Sequence, residues 1–408
     1  MRLFWQEMRK IWRPGILAFI VLLGAMFYWV RPDYYREYYN GGLSGGNHEI
    51  YHLSAEWAEK YGTTMEQSER EELDLQLAEE KEIFSRMLAD IPEAADAEFT
   101  DYEGFVAFIE MHHNAYRGDE SYHAGELFTQ RERLIRRVQG GTNYGRIEDL
   151  DTFLFRYDHF LESPASARED FHTVYTPQEQ ARILELEARD QRGYLPSGLK
   201  TATSRYFRYL AFWNALGVIL LLAPFLVRDR MRRVRSMQWA SRTGCRTLAV
   251  QMAAGSASAL LFSILSAAVY SALFLVNGML VFKDFPLYSP VMGGYTWFDM
   301  TYGQYIFALI GLALAAGLIA GALTLFLSYY SGNYVAILLK AVPLYLALWM
   351  TLNELESGIL FFHWTYLLNG ALRLRWPKGL DLALFVLLLA AGWGLCLWTC
   401  VRQRRRDL

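Results

Sequence analysis

Cysteine is scarce: the 408 residues hold three, Cys245, Cys396 and Cys400, and none precedes position 245. The first half of the chain therefore has no disulfide framework and must rely on its own core, and no cysteine set has metal-ligand spacing. A nucleotide loop is lacking as well. In Gly193-Tyr194-Leu195-Pro196-Ser197-Gly198-Leu199-Lys200-Thr201, Leu199 displaces the lysine by one position from where a phosphate-binding loop needs it. No Ser/His/Asp set emerges, and nothing suggests nucleic-acid reading. No cofactor is implied.

Apolar residues, in contrast, are abundant at 53%, with 15% aromatic. They are concentrated in one short segment near the N-terminus and in the last 200 residues, so a mean hydropathy near zero averages two different materials. Six runs, at 15–30, 208–227, 247–276, 303–328, 334–352 and 381–400, have lengths suited to about 30 Å of hydrocarbon. The first is slightly short, and no small-residue cleavage site follows it, so it reads as an uncleaved anchor. Residues 1–14 carry four Lys or Arg, residues 228–246 carry seven, and the tail has Arg402, Arg404, Arg405 and Arg406. By the positive-inside rule both termini are expected in the cytoplasm of a multi-pass plasma-membrane protein, with residues 31–207 outside.

The expected fold class is thus an all-α membrane protein: a six-helix transmembrane bundle with a large, mainly helical extracytoplasmic domain between spans 1 and 2. Between Arg31 and Arg208 there are 20 basic and 35 acidic residues, an asymmetry hidden in the overall charge of −3. Apolar residues at three- and four-residue steps predict helices over 50–90, 102–116, 126–138, 148–161 and 177–192. Thr176-Pro177-Gln178-Glu179 and Thr100-Asp101-Tyr102-Glu103 read as N-terminal caps. Within the bundle, Ala313, Gly317 and Gly321 form a small-residue stripe that reads as intramolecular helix packing.

Residues 1–14 place Leu3, Phe4, Met8, Ile11 and Trp12 at helical spacing among charges, an amphipathic helix suited to the inner interface. The segment 228–246 has more arginines than topology needs, and Met231, Val234, Met237, Gln238 and Trp239 suggest a short helix with one apolar face. Such an element could dock on a cytosolic partner, or lie against anionic lipid. The layout of amphipathic helix, first span, large insertion at 31–207, second span, basic loop ending Ser241-Arg242-Thr243-Gly244-Cys245-Arg246 and four more spans within 208–408 resembles the permease subunits of ABC-type exporters, the type-2 ABC permease family. The resemblance implies a coupling helix at 228–246, with Arg232, Arg233, Met237, Trp239 and Arg242 meeting a cytosolic ABC ATPase. It also implies a second permease subunit, identical or not, and ATP hydrolysis on the separate ATPase, so that this chain is not itself an enzyme. The outer loop 353–380 would contain short helices dipping back into the membrane, within 357–372.

One competing motif is literal. His48-Glu49-Ile50-Tyr51-His52 matches H-E-x-x-H, the pattern of a zinc hydrolase with Glu49 as general base, although a helix starting directly after the Gly41–Gly46 linker would present it on a first turn. Third-ligand candidates are Glu72, His112, His113 and His123. A sensor whose outer domain recruits a ligand is a further alternative. Lys340 is expected to snorkel to the inner face, and Glu354 and Glu356 to sit at the outer end of their span.

Overall fold

The computed structural model describes residues 2–37, 49–97, 99–118, 125–160, 162, 164–189, 192–234, 244–276, 278–291, 295–354, 364–367, 372–375 and 380–406. Along these residues run α1 (Arg2–Ile11), α2 (Pro14–Val30), α3 (Pro32–Glu37), α4 (Glu49–Tyr61), α5 (Gln67–Leu88), α6 (Pro92–Asp96), α7 (Tyr102–Gly118), α8 (Glu126–Gly141), α9 (Tyr144–His159), α10 (Phe171–Val174), α11 (Pro177–Glu187), α12 (Ser197–Met231), α13 (Gly244–Leu275), α14 (Tyr302–Tyr329), α15 (Tyr334–Glu354) and α16 (Leu380–Arg406). The chain divides into two compact units: Met1–Gly42 with Ser197–Leu287 and Gly294–Leu408, and Leu43–Pro196 with Tyr288–Gly293.

The second unit is helical, and the periodic segments predicted from sequence all become helices. Thr176 and Glu179 form a reciprocal capping box at α11, with Pro177 in the first turn. At α7 the cap is the Asp101 carboxylate, which accepts from Gly104 N at 2.8 Å. Gly62, at φ +85°, closes α4 in the left-handed region that a glycine enters without strain. Without cysteine, cohesion rests on an aromatic-rich core. Phe84, Leu88, Phe99, Phe105, Ile135, Val138 and Ile147 form one cluster, and Trp57 packs on Phe153 at 4.6 Å. Tyr157 donates to Met65 O at 2.9 Å. The segment after α4 meets the segment after α11 where Met65 N donates to Arg192 O at 3.2 Å. Arg70 makes a bidentate bridge from α5 to Asp158 on α9 and holds that carboxyl below its ordinary range.

Four helical stretches among the described residues are long and apolar enough to cross a membrane: Gly198–Met231, Arg246–Leu275, Tyr302–Tyr329 and Leu382–Arg404. The α1–α2 pair would be a fifth if taken as one span bent by 50°, and Tyr334–Met350 is a shorter apolar stretch. The bend follows from Pro14, whose ring starts α2 without a backbone N–H to continue α1. The helix expected to begin at 208 begins instead at Ser197, so it carries Lys200, Arg205 and Arg208 before its apolar stretch. Lys200 is buried and donates to Leu287 O at 3.3 Å, a helix residue and not part of a phosphate loop.

In the first unit α12 is the central helix: 78% of its most apolar stretch is buried, against 22% for α16. In a bilayer the aqueous hydrophobic drive between helices is absent, so helices of this kind would be held there by close packing and interhelical hydrogen bonds. The small-residue stripe does this within the chain. A Cβ at Gly321 would lie 2.8 Å from Ala259 Cβ, and one at Gly255 would lie 2.6 Å from Leu325 Cδ2. Beside Gly317, Asn214 on α12 donates to Ala313 O on α14 at 2.9 Å and accepts from Ser266 Oγ on α13.

The all-helical expectation needs one correction. Trp364–Leu367 (β1) and Leu372–Arg375 (β2) pair antiparallel, Trp364 opposite Arg375 and Leu367 opposite Leu372, where re-entrant helices were expected within 357–372. Aromatic and β-branched residues in the first strand and strict Leu/Arg alternation in the second favour pleated pairing over helix. The rest of 355–363 and 368–371 lies outside the described residues.

Two predictions follow from this packing. Gly317→Val would push a branched side chain into Ser263 Oγ and toward Asn214 Cβ, 3.4 Å from the built Cβ, whereas nothing lies within 4 Å of one at Gly311. Gly317→Val is expected to destabilise the chain by about 1–3 kcal/mol and Gly311→Val far less, read as melting temperatures in detergent. The second concerns Asp149, half-buried, which accepts from Ile50 N at 2.8 Å. Desolvation raises its pKa to about 6, with Glu148 and Glu49 adding to the rise and the Ile50 amide opposing it. The folded state thus holds this proton more tightly than the unfolded chain, whose Asp titrates near 4, so the associated stability is full below about pH 4 and is lost as pH rises through 6. Asp149→Asn keeps the acceptor. Its melting temperature relative to wild type should therefore be higher at pH 7 than at pH 4, and a difference independent of pH would contradict the assignment.

Candidate coupling face

The basic segment 228–246 leaves the end of α12, and its first residues are described. Arg228 and Asp229 are buried, while Met231, Arg232 and Arg233 are exposed. Arg232 N donates to Arg228 O and Arg233 N to Arg230 O, both at 3.0 Å. Arg233 then takes φ 56°, a left-handed conformation unusual for a residue with a side chain, and the helix ends there. Val234 is half-buried. Of the expected coupling residues, Arg232 and Arg233 therefore project at the helix end. Met237, Trp239 and Arg242 lie outside the described residues, and the chain resumes at Gly244 with Cys245 in the first turn of α13.

Beneath this end lies a polar node that spacing alone did not reveal. α1 buries Glu7, Met8 and Ile11. Met8 and Ile11 were expected on the apolar face; Glu7, 1% exposed, was not. Lys10 Nζ sits 2.6 Å from Glu7 Oε1 and 3.4 Å from Asp229 Oδ2. Gln251 on α13 donates to Asp229 Oδ2 at 3.0 Å and to Glu7 Oε2 at 3.4 Å. Arg228 donates to Lys10 O at 2.9 Å. Trp12 Nε1 donates to Ser258 Oγ at 3.0 Å, which anchors the end of the same segment on α13. The signal was present in the sequence: Glu7 is the one acid in residues 1–30, and Asp229 the one acid in 228–246.

The opposite flank is tied as well. Arg230 donates to Ser331 O at 3.0 Å, and Lys340 reaches back to Ser331 Oγ at 3.2 Å and Tyr330 O at 3.4 Å, the turn between α14 and α15. Lys340, expected to snorkel to the inner face, thus meets a backbone carbonyl and a hydroxyl. The end of α12 is linked to α1, α13 and the 330–331 turn, while its tip remains exposed.

The chain matches no family model, no curated protein and no solved structure. The motif 48–52 and its partners therefore stand on geometry alone. His48 lies outside the described residues; α4 begins at Glu49, and His52 is exposed. Among the third-ligand candidates, Glu72 is held by Lys60 at 2.5 Å and Tyr61 at 2.9 Å, contacts that keep its carboxyl below the ordinary range. His112 is buried, its ring 5.0 Å from Phe128 and its Nε2 3.4 Å from Glu132. His113 is exposed, and His123 lies outside the described residues. Among the described residues no three His, Cys, Asp or Glu side chains gather as a metal site. Cys396 and Cys400 are free thiols on α16. Glu354 closes α15, and Glu356 is outside the described residues.

The node gives a double-variant test. Lys10→Met leaves two buried carboxylates facing each other without their ammonium and is expected to cost about 3 kcal/mol. Adding Glu7→Gln should recover part of that loss, because the two changes act on one network. Melting temperatures and protease cleavage after α1 read the effect, and strict additivity of the two changes would show that the node is not coupled.

Proposed function

We propose that the chain is the membrane-embedded permease subunit of an ATP-driven exporter of the ABC type. Six spans comprise α2, α12, α13, α14, α15 and α16, with both termini and the 228–246 segment in the cytoplasm and the unit 43–196 outside the plasma membrane. A second permease, identical or not, completes the pathway, and a separate cytosolic ATPase hydrolyses ATP.

The observation that carries this reading is the arrangement at the end of α12. The exposed basic tip formed by Met231, Arg232 and Arg233 stands on a helix end joined through Arg228, Asp229, Lys10 and Gln251 to α1 and α13, and through Arg230 to the 330–331 turn. A partner pressing on that tip would act on several helices together, as a rigid-body transition requires. A cycle follows only if the partner contacts the two states differently. The orientation rests on the basic ends of the helices.

The test is purification of the full chain from its native membrane with identification of the accompanying subunits. A cytosolic ATPase should co-purify, and its hydrolysis should rise in the complex. Trp239, the largest apolar residue of the segment, is the expected anchor, since interface hot spots favour buried Trp. Trp239→Ala should weaken ATPase capture by about 2 kcal/mol, roughly thirtyfold, with membrane insertion unchanged. Charge reversal of Arg232 and Arg233 should cost less, under about 1 kcal/mol for exposed pairs. Absence of any ATPase from the wild-type preparation would overturn the permease reading, whereas unchanged capture by Trp239→Ala would move the anchor elsewhere.

A further inference from the structure

Cations stand at both ends of α2 and α12, but the rule that sets orientation uses only one end. At the α1 side the orientation rule uses Arg9, Lys10, Arg13 and the arginines of 228–246, and the node engages Lys10 and Arg228. At the other ends lie Arg31, directly after α2, and Lys200, Arg205 and Arg208 in α12. These cations occur within a region, Arg31 to Arg208, that is otherwise acid-rich. Whichever side of a membrane they face, orientation does not explain them.

The structure gathers three of them, Arg31, Arg205 and Arg208, around aromatic rings within one unit. Arg205, Arg208 and Tyr209 fall at i, i+3 and i+4 of α12 and so share a face. Arg205 is exposed, and its guanidinium carbon lies 5.9 Å from the centre of the Tyr35 ring. Tyr35 stacks on Tyr209 at 5.7 Å with the planes 26° apart. Arg208 and Arg31 both lie within electrostatic reach of Tyr209. Arg31 is exposed, and Arg208, Tyr35 and Tyr209 are half-buried. Two arginines one turn apart repel each other, and an anion placed between them relieves that repulsion while accepting the paired N–H donors of each guanidinium. Tyrosines beside an apolar span belong at the depth of lipid headgroups. α2, which Arg31 follows, leaves Leu22, Met26 and Trp29 exposed, an apolar strip along which acyl chains can lie.

We propose that Arg31, Arg205 and Arg208, with Tyr35 and Tyr209, form a binding site for the phosphate of an anionic phospholipid headgroup. The proposal requires membrane embedding but not the permease reading, so each survives the failure of the other.

The experiment uses the delipidated full chain in neutral detergent and native mass spectrometry with phosphatidylglycerol and phosphatidylcholine of identical acyl chains. Wild type is expected to bind phosphatidylglycerol about tenfold more tightly or better, the scale of one charge-assisted hydrogen bond. Arg205→Gln with Arg208→Gln should remove that preference, Arg205→Lys with Arg208→Lys should keep part of it because a point charge remains, and Arg402→Gln at a far span end should leave it unchanged. Arg205→Gln alone, at an exposed position, carries the test if the double variant loses its melting transition. Inorganic phosphate in the same titration separates the sources: failure to displace the lipid at millimolar concentration supports a headgroup site, and displacement there overturns it in favour of a free anion. Equal affinity of wild type for the two lipids, or an unchanged preference in the Arg205→Gln chain, also overturns the proposal.

Discussion

A side-chain amide inside an apolar helix has no water to satisfy it, so its partners must come from neighbouring helices. Asn214 meets that requirement twice, through Ala313 O on α14 and Ser266 Oγ on α13. Each such bond is worth only about 0.6–2 kcal/mol where lipid surrounds the bundle, but it fixes register: a slip of either neighbour would strand the amide. The close approach that lets the bond form depends on Gly317, where no side chain fits. α12 therefore sits at the centre of its unit, and what happens at its two ends is referred to one rigid axis.

Those ends have opposite character. At one, α1 is clamped by a node in which two buried carboxylates, a lysine and a glutamine satisfy each other. Burying Glu7, Asp229 and Gln251 is costly unless all are paired, here with the half-buried Lys10 among the partners, and paired they specify where the amphipathic segment must lie. A free interfacial helix would have no such address. At the other end, exposed Arg31 and Arg205 and half-buried Arg208, Tyr35 and Tyr209 stand beside buried bonds such as Tyr206 OH to Tyr270 O at 2.8 Å. The same helix thus carries the proposed coupling tip at one end and the proposed headgroup site at the other.

The second unit is held by different physics. It lacks cysteine, so its helices are joined by aromatic packing and by bridges such as Arg70 to Asp158 and Arg146 to Glu56 and Glu80. Exposed bridges contribute little each. The burial of Trp57, Phe84, Phe105 and Phe153 contributes more, about 1.5–3 kcal/mol per fully buried large side chain.

Helix content, the caps at Thr176 and Asp101, and the apolar stretches were legible because period, capping chemistry and run length are local properties. The stripe at Gly317 and Gly321 was legible as packing for the same reason. The hairpin at 364–375 was hidden by its apolar composition, although the Leu/Arg alternation of Leu372-Arg373-Leu374-Arg375 carries the signal. The burial of Glu7 could not be read from helical spacing, which ranks positions by apolarity and places an acid outside. Outside that hairpin, the helical segments, the apolar stretches long enough for a bilayer and the places where charge accumulates were readable from residues a few positions apart. Tertiary packing alone sets the contact of Lys10 with Asp229, the place of Arg205 over Tyr35 and the joining of three helices by Asn214, because each pairs groups between 52 and 219 residues apart, and such pairs form only once helix packing has brought the two segments together.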